Sequence, residues 1–241
     1  MVRERIKSYL RLFIPPILMP DYLRKIYNRI FNRNKLINHF EYEQNFFSRH
    51  AFINKAISKY NNCKYLEIGV FNNAVFNSIP LKITNKFGVD PVKGGNFKMT
   101  SDEFFMKNSH LKFDVIFIDG LHEYEQCQRD CLNSMKFLND GGIILFHDFL
   151  PRSFFEESLQ SKHSSWTGDV WKVAVELNNS KNVEFKIVNI DHGIGILKLK
   201  KNFQYKKIDN LKNQNFGDYL SYKKTLPIIT SEEGLEFISR Q

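Results

Sequence analysis

From Lys64 onward, short apolar runs alternate with stretches whose apolar residues have helical spacing. The runs that predict β-strands are Tyr65–Ile68, Phe87–Val89, Val115–Ile118, Ile143–Phe146, Glu184–Ile190 and Ile194–Leu199. Continuous apolar strands separated by helices are typical of a mostly parallel sheet that is covered on both faces. The pattern therefore predicts an α/β fold.

The clearest helix lies between the third and fourth predicted strands. Its apolar residues recur at spacings of three and four, and they are Tyr124, Cys127, Cys131, Met135 and Leu138. The glycines of residues 140–142 predict its end. The last two strands are joined only by residues 191–193, which is too short for a crossover helix, so these strands must form an antiparallel hairpin.

The basic residues are concentrated at the two ends of the chain. The net charge of +9 divides into +7 for residues 1–36, +4 for residues 198–241 and −2 for the residues between them. A body that binds nucleic acid would normally carry the cationic stripe itself. We therefore expect no nucleic-acid partner.

Composition divides the chain into a basic helical extension (residues 1–50), a central domain (residues 51–200) and a polar C-terminal tail (residues 201–241). No apolar run reaches membrane-spanning length, and the three cysteines fit neither a metal pair nor a disulfide framework, so we expect a cytoplasmic protein. The amphipathic stretches of residues 1–36 leave three fates open. They suit packing on the chain itself, a homo-oligomer, or peripheral contact with the inner membrane face.

The residues that follow the strands carry candidate chemistry, because ligands of an open parallel sheet bind outside the carboxyl ends of its strands. Glu67 and Gly69 end the first strand, and glycine lets the backbone approach a ligand closely. Asp90 ends the second strand, where an acid can accept hydrogen bonds from both hydroxyls of a ribose. A dinucleotide site needs further phosphate-binding glycines, which argues against NAD.

A second group of polar residues follows the third and fourth strands. If these strands are neighbours, Asp119, His122, His147 and Asp148 meet at one edge of the sheet. An imidazole with a pKa near ~6.5 can remove a hydroxyl proton at neutral pH, so His122 is the candidate general base, with Asp119 beside it. Asp119, His147 and Asp148 are candidate ligands of a divalent cation. The alternative is that Asp119 caps the next helix and His147 is a hydrogen-bonded edge residue.

These strand-end motifs resemble the class I methyltransferases that use S-adenosylmethionine (SAM), and within them the small bacterial branch associated with sugar and cell-surface glycan genes. The matching segments within residues 60–200 are Glu67–Val70, Gly88–Pro91, Ser101–Phe105, Phe113–Tyr124, His147-Asp148, Trp166–Lys172 and residues 191–193. The resemblance implies a Rossmann-like, mostly parallel seven-stranded sheet with helices on both faces and a C-terminal antiparallel hairpin. It makes residues 51–200 the SAM-dependent methyltransferase domain.

The resemblance also implies a set of cofactor-binding residues. They are Glu67 and Gly69 at the methionine part, Asp90 at the ribose, Ser101 and Asp102 near the adenine, and Asp119 beside the methyl group. The family usually has a second glycine where this chain has Asn73. Asn best tolerates left-handed backbone among the other residues, so we include Asn73 in the cofactor site.

The second polar group resembles the site of metal-dependent O-methyltransferases that modify macrolide sugars. In those enzymes an aspartate binds magnesium, a histidine three residues later is the base, and a Glu-Asp pair after the next strand completes the site. Asp119, His122 and Asp148 match this pattern, whereas His147 replaces the glutamate. An imidazole ligand makes the site softer, so Mg²⁺, Mn²⁺, Zn²⁺ and a metal-free site all stay open.

Residues 149–169 leave the sheet at the same edge and predict the acceptor loop. Arg152, His163 and Trp166 combine polar and aromatic character, which suits a sugar ring. We therefore expect a SAM-dependent O-methyltransferase that acts on a hydroxyl of a sugar in a glycan or glycosylated metabolite, with Mg²⁺ or Mn²⁺. Two alternatives stay open: N-methylation of an amino sugar or small amine, and a SAM-binding module without catalysis.

Overall fold

Seven strands form one mixed sheet in the computed structural model, which describes residues 41–44, 47–158 and 165–240. The strands are β1 (Tyr65–Ile68), β2 (Lys86–Val89), β3 (Phe113–Ile118), β4 (Leu138–Phe146), β5 (Lys181–Val188), β6 (Ile194–Gln204) and β7 (Ile228–Ile229). The predicted helices of residues 1–36 and the predicted acceptor residue His163 lie outside the described residues.

The strand order is β2-β1-β3-β4-β6-β5-β7. Strand β6 is antiparallel to both of its neighbours, and every other pairing in this sheet is parallel. The predicted Rossmann-like, mostly parallel sheet with a reversed hairpin is therefore confirmed. Because β1 lies between β2 and β3, and β4 lies next to β3, the carboxyl ends of all four strands share one edge.

Helices cover both faces of the sheet. They are α1 (Arg49–Ile57), α2 (Ala74–Ser78), α3 (Ser101–Lys107), α4 (Tyr124–Phe137), α5 (Phe154–Glu157), α6 (Trp171–Asn179), α7 (Phe216–Lys223) and α8 (Ser231–Ser239). Neighbouring strand residues point to opposite faces, so Ile116 and Ile118 enter the apolar layer beneath α3, α4, α6 and α7, whereas Val115 and Phe117 enter the layer beneath α1, α2 and α8. Among the described residues, no helix has the length and apolarity that crossing a membrane requires.

Residues 140–142 differ from their prediction. They belong to β4, because α4 already ends at Phe137 and β4 starts at Leu138. Strand pairing jumps from Phe113 with Leu138 to Val115 with Ile143, so the stretch between them bulges out of the ladder. Gly141 has a φ of 73° there. Helix ends and bulges both use left-handed glycine, which is why the sequence alone did not separate them.

The C-terminal segment, residues 205–240, packs onto the sheet and supplies β7. Leu211, Phe216, Tyr219 and Ile238 are at most 1% exposed. The sequence pattern predicts a polar tail here because these apolar residues are spaced widely among Lys and Asn residues. Helix α8 begins at Ser231, and the Thr230 side chain caps it by accepting a hydrogen bond from the Glu233 amide.

Glu176 on α6 is a buried carboxylate that fastens this segment to the helical layer. It is 0% exposed. It accepts hydrogen bonds from the Tyr124 hydroxyl at 2.8 Å, Gln128 Nε2 at 2.6 Å, the Ile208 amide at 2.9 Å and the Tyr205 hydroxyl. Full satisfaction of a buried polar group is what makes such a network tolerable in the core.

Replacing Glu176 with Ala should lower the free energy of unfolding by roughly 3–5 kcal/mol, because four donors, two of them buried, lose their acceptor. Chemical denaturation measures the loss. The matched control is Glu184→Ala, which removes a carboxylate that pairs with Lys200 on the surface and should cost under about 1 kcal/mol. Equal losses in the two variants would contradict the assigned role.

Candidate active site

The turn after β1 is in direct backbone contact with the turn after β3. Gly69 has a φ of 86°, and a Cβ atom at this position would lie 2.0 Å from the carbonyl oxygen of Asp119. The Asp119 amide donates to the carbonyl of Ile68 at 2.8 Å. Two groups of residues that the sequence predicts separately, for the cofactor and for catalysis, are therefore adjacent.

Asn73 closes the turn after β1. Its φ of 63° is left-handed, which agrees with the reason for accepting Asn at a position where glycine is usual. Its Oδ1 accepts a hydrogen bond from the Gly95 amide at 2.8 Å. Asn73 thus ties the turn after β1 to the loop that follows β2.

Asp90 lies at the end of β2, as predicted, and holds both loops together. Its Oδ2 accepts from the Phe71 amide at 2.9 Å, and its Oδ1 accepts from the amides of Val92 and Lys93 at 2.8 Å and 2.7 Å. A carboxylate can accept about four hydrogen bonds, so about one acceptor position of Asp90 is left for a ligand. This backbone role was missed by the sequence reasoning.

Glu67 is buried beneath the same turn and is 1% exposed. Burial raises the pKa of Glu67 to about 8, against the opposing effect of the Tyr65 hydroxyl, which donates to Oε2 at 2.7 Å. The carboxyl group of Glu67 is therefore largely protonated at neutral pH. In that form it can both donate and accept hydrogen bonds.

The predicted adenine residues Ser101 and Asp102 point in different directions. The Ser101 hydroxyl is buried and donates to Asp130 Oδ1 at 2.5 Å. Asp102 is exposed and lies 3.3 Å from Arg129 Nε. The structure therefore brings Ser101 into a buried polar cluster and leaves Asp102 on the surface. Asp130 was not predicted, because it lies in the middle of the helical pattern of α4.

The four residues of the second group come together at the carboxyl edge of β3 and β4. His122 Nε2 lies 3.5 Å from Asp119 Oδ1, and His122 Nδ1 lies 3.2 Å from Asp148 Oδ2. His147 Nδ1 lies 3.2 Å from Asp119 Oδ1 and 3.0 Å from Asp148 Oδ1. We call this group, with Arg49 and Asp191 described next, the edge cluster.

Arg49 and Asp191 belong to the edge cluster but were not predicted. Arg49 Nη1 donates to Asp119 Oδ2 at 2.7 Å, while its Nε and Nη2 bind Asp191 at 2.8 Å and 2.9 Å. His147 Nε2 lies 3.4 Å from Asp191 Oδ1. Arg49 resembles the other basic residues of the N-terminal segment. Asp191 belongs to the hairpin turn that matches the family, but nothing in that motif assigned it a role in the site.

The charges of the edge cluster shift the pKa values of its members. Burial would raise the pKa of Asp119, but the charge of His147, the hydrogen bonds from His122 and His147 and the charge of Arg49 hold it well below its ordinary value. Burial would lower the pKa of His122, but the hydrogen bond to Asp119 and the charges of Asp148 and Asp119 raise it. The cluster therefore favours the ionised form of Asp119.

Trp166 and Gly168 fix the orientation of His122. His122 Nδ1 lies 2.9 Å from the Trp166 carbonyl oxygen. The two rings pack with their centroids 4.8 Å apart. Gly168 has a φ of 64°, and a Cβ atom there would lie 1.7 Å from the His122 carbonyl oxygen. Because a carbonyl only accepts, Nδ1 carries a proton. The other nitrogen, Nε2, is turned toward Asp119.

The edge cluster has the ligand atoms that a cation site needs, and one of its carboxylate oxygens lacks a hydrogen-bond donor among the described residues. Ligand atoms of Asp119, His122 and Asp148 all lie within 4.8 Å of one another. Asp148 is 2% exposed, and its Oδ2 has no hydrogen-bond donor among the described residues. A buried carboxylate oxygen without a donor can be satisfied by a bound cation or by water. His147, the third predicted ligand, lies against both acids, so the residues present fit a divalent metal.

Residues 85–149 match the family model of a methyltransferase domain. The match begins just before β2 and ends just after β4, so it contains Asp90 and the strand-end acids and histidines, whereas Glu67 and Gly69 precede it. The chain is also 29% identical to an uncharacterized protein of Acanthamoeba polyphaga mimivirus, over 35% of this chain and 51% of the viral protein. The chain thus spans about half the length of that relative.

Two solved structures illustrate the likeness in three dimensions. An O-methyltransferase from Bacillus cereus, solved with S-adenosylhomocysteine (SAH), is 11% identical with a TM-score of 0.47, covering 81% of this chain and 97% of that one. The methyltransferase MycE of the mycinamycin biosynthetic pathway, solved with Mg, SAH and mycinamycin VI, is 13% identical with a TM-score of 0.42, covering 66% of this chain and 50% of that one.

Gly69→Ala should destabilise the protein by on the order of 3 kcal/mol or more, because the added methyl group meets the Asp119 carbonyl. The control is Gly141→Ala. Gly141 also has a left-handed backbone, but a Cβ atom there meets nothing within 4 Å among the described residues. The free energy of unfolding of that variant should therefore fall by only about 1 kcal/mol. Thermal and chemical unfolding of both proteins measure the difference. Equal losses would mean that the turns after β1 and β3 do not press on each other.

Glu67→Gln should make the free energy of unfolding depend less on pH. A carboxyl whose folded pKa lies above its unfolded value stabilises the fold below the unfolded pKa, and that stability is lost as pH rises through about 8. Between pH 5 and pH 8, the free energy of unfolding of the variant should therefore rise relative to that of the parent protein by on the order of 3 kcal/mol. Denaturation at several pH values tests this, with Glu232→Gln on the exposed face of α8 as control. A constant difference across that range would contradict the burial of an ionisable Glu67.

Proposed function

We propose that the chain is a SAM-dependent O-methyltransferase that acts on a hydroxyl of a sugar in a glycan or glycosylated metabolite, assisted by a divalent cation. The observation that carries the proposal is the position of His122. Its ring is fixed by the Trp166 carbonyl and lies beside Asp119, whose backbone touches Gly69 in the turn after β1. A candidate base and a candidate cofactor turn thus meet at one edge.

SAM supplies a methyl group on a positively charged sulfur, and this group passes to an acceptor oxygen in one displacement as the carbon–sulfur bond breaks. The residues proposed to hold SAM are Glu67, Gly69, Asn73, Asp90, Ser101, Asp102 and Asp119. Asp90 keeps about one acceptor position for a ribose hydroxyl beside its three backbone partners. The backbone of the Gly69 turn, which packs against the Asp119 carbonyl, is proposed to meet the methionine part.

His122 is the proposed general base. The acceptor hydroxyl loses its proton to Nε2, because Nδ1 already donates to the Trp166 carbonyl. Asp119, at 3.5 Å from Nε2, then stabilises the positively charged imidazolium. The nearby carboxylates already raise the pKa of His122, which strengthens it as a proton acceptor.

Asp119, His147 and Asp148 are the residues proposed to hold the cation, with His147 as the nitrogen ligand. Mg²⁺ or Mn²⁺ at this position would act as a Lewis acid that lowers the pKa of the acceptor hydroxyl. The buried Asp148 oxygen without a donor supports this part of the proposal.

The sugar acceptor is supported by the side chains around the edge cluster. The Arg152 guanidinium lies 4.6 Å from the centre of the Tyr42 ring, and the Tyr42 hydroxyl lies 3.3 Å from His192 Nδ1. Trp166 packs on His122 with the two ring centroids 4.8 Å apart. Aromatic faces next to polar groups suit a ring with hydroxyls on its rim.

Methyl transfer from isotopically labelled SAM to a panel of sugars and matched amino sugars tests this function. We expect product on a hydroxyl oxygen. His122→Gln should lower kcat by roughly 10²- to 10⁴-fold, the range expected for loss of a general base. His110→Gln is the control, because His110 lies on the exposed loop before β3. Methylation on nitrogen alone, or equal rates for the two variants, would contradict the proposal.

A further inference from the structure

Arg49 occupies one oxygen of the carboxylate at the centre of the edge cluster. Its Nη1 lies 2.7 Å from Asp119 Oδ2. Both histidines face the other oxygen, Oδ1, at 3.5 Å and 3.2 Å. Both carboxylate oxygens of Asp119 therefore already have a positively charged or hydrogen-bonding neighbour.

Asp148, unlike Asp119, has a carboxylate oxygen without a hydrogen-bond donor among the described residues. Its side chain is 4% exposed, and Oδ2 lacks a hydrogen-bond donor among the described residues. This oxygen lies 3.2 Å from His122 Nδ1, but the proton on Nδ1 is donated to the Trp166 carbonyl instead. In the candidate cation site, Asp148 thus has an oxygen without a donor among the described residues, whereas Asp119 is neutralised by the Arg49 guanidinium.

A guanidinium and a divalent cation on the same carboxylate repel each other strongly in a partly buried site. Resting on the function proposed above, we propose that Arg49 and the divalent cation compete for Asp119, so that the cation binds only after the guanidinium has released Oδ2. Arg49 then acts as a positioning residue that sets the metal affinity of the site.

Asp191 makes the exchange reversible. It binds Arg49 through Nε and Nη2 at 2.8 Å and 2.9 Å, and it also accepts from the Arg49 backbone amide at 3.1 Å. Arg49 is the first residue of α1. The guanidinium can therefore leave Asp119 while Asp191 keeps both the side chain and the start of α1 in place.

Calorimetric titration of Mn²⁺ into the full chain tests the competition. Arg49→Met should bind Mn²⁺ at least about tenfold more tightly than the parent protein, which corresponds to about 1.4 kcal/mol. Asp119→Asn should abolish that gain when it is combined with Arg49→Met. Arg152→Gln is the control for lost charge at the same edge, because Arg152 is held by Glu156; it should change the affinity less than about twofold.

A second substitution keeps the test decisive if Arg49→Met does not fold. Arg49→Lys keeps the charge, but an ammonium lacks the planar fork that grips Asp191 and Asp119 together, so it should raise Mn²⁺ affinity by a few-fold. Equal affinity in the parent and both Arg49 variants would overturn the proposal, as would an equal gain in Arg152→Gln or no Mn²⁺ binding in any protein. SAH titrated into the same samples reports separately on the cofactor site, so failure of the proposed function is distinguishable.

Discussion

The proposed site depends on the contact between the Gly69 backbone and the Asp119 carbonyl oxygen. A side chain at residue 69 would put a Cβ atom 2.0 Å from that oxygen, so these two strand-end turns can only meet at a glycine. The parallel pairing of β1 with β3 brings the turns to the same height. Because Asp119 follows β3 directly, the contact fixes how close the proposed cofactor and the edge cluster lie.

Charge then decides what the edge cluster can do. Asp119 is shared by Arg49, His122 and His147, and the cost of burying it is offset by these partners. Asp148 is more deeply buried, and its Oδ2 lacks a hydrogen-bond donor among the described residues. A site that is satisfied on one side and unsatisfied on the other is suited to a ligand or ion that arrives during function.

The sequence was most informative where one short motif follows one buried strand. Gly69, Asp90, Asp119, His122, His147 and Asp148 could all be placed at one edge, because parallel strands bring their carboxyl ends together. Arg49 and Asp191 could not be found in this way, since their partners are about 70 and 142 positions distant along the chain. The bulge at Gly141 and the burial of Phe216 were missed for a related reason: tertiary packing decides between local alternatives that the pattern leaves equal.

The most direct test of the central claim is calorimetric titration of SAM into the parent protein and into Asp90→Asn, which retains the size of the side chain and part of its hydrogen bonding to the loop. The account predicts micromolar binding by the parent protein, near about −8 kcal/mol, and binding at least about tenfold weaker in the variant with its fold intact. Absence of SAM binding by the parent protein would contradict the assignment of this strand edge to a methyl-transfer cofactor.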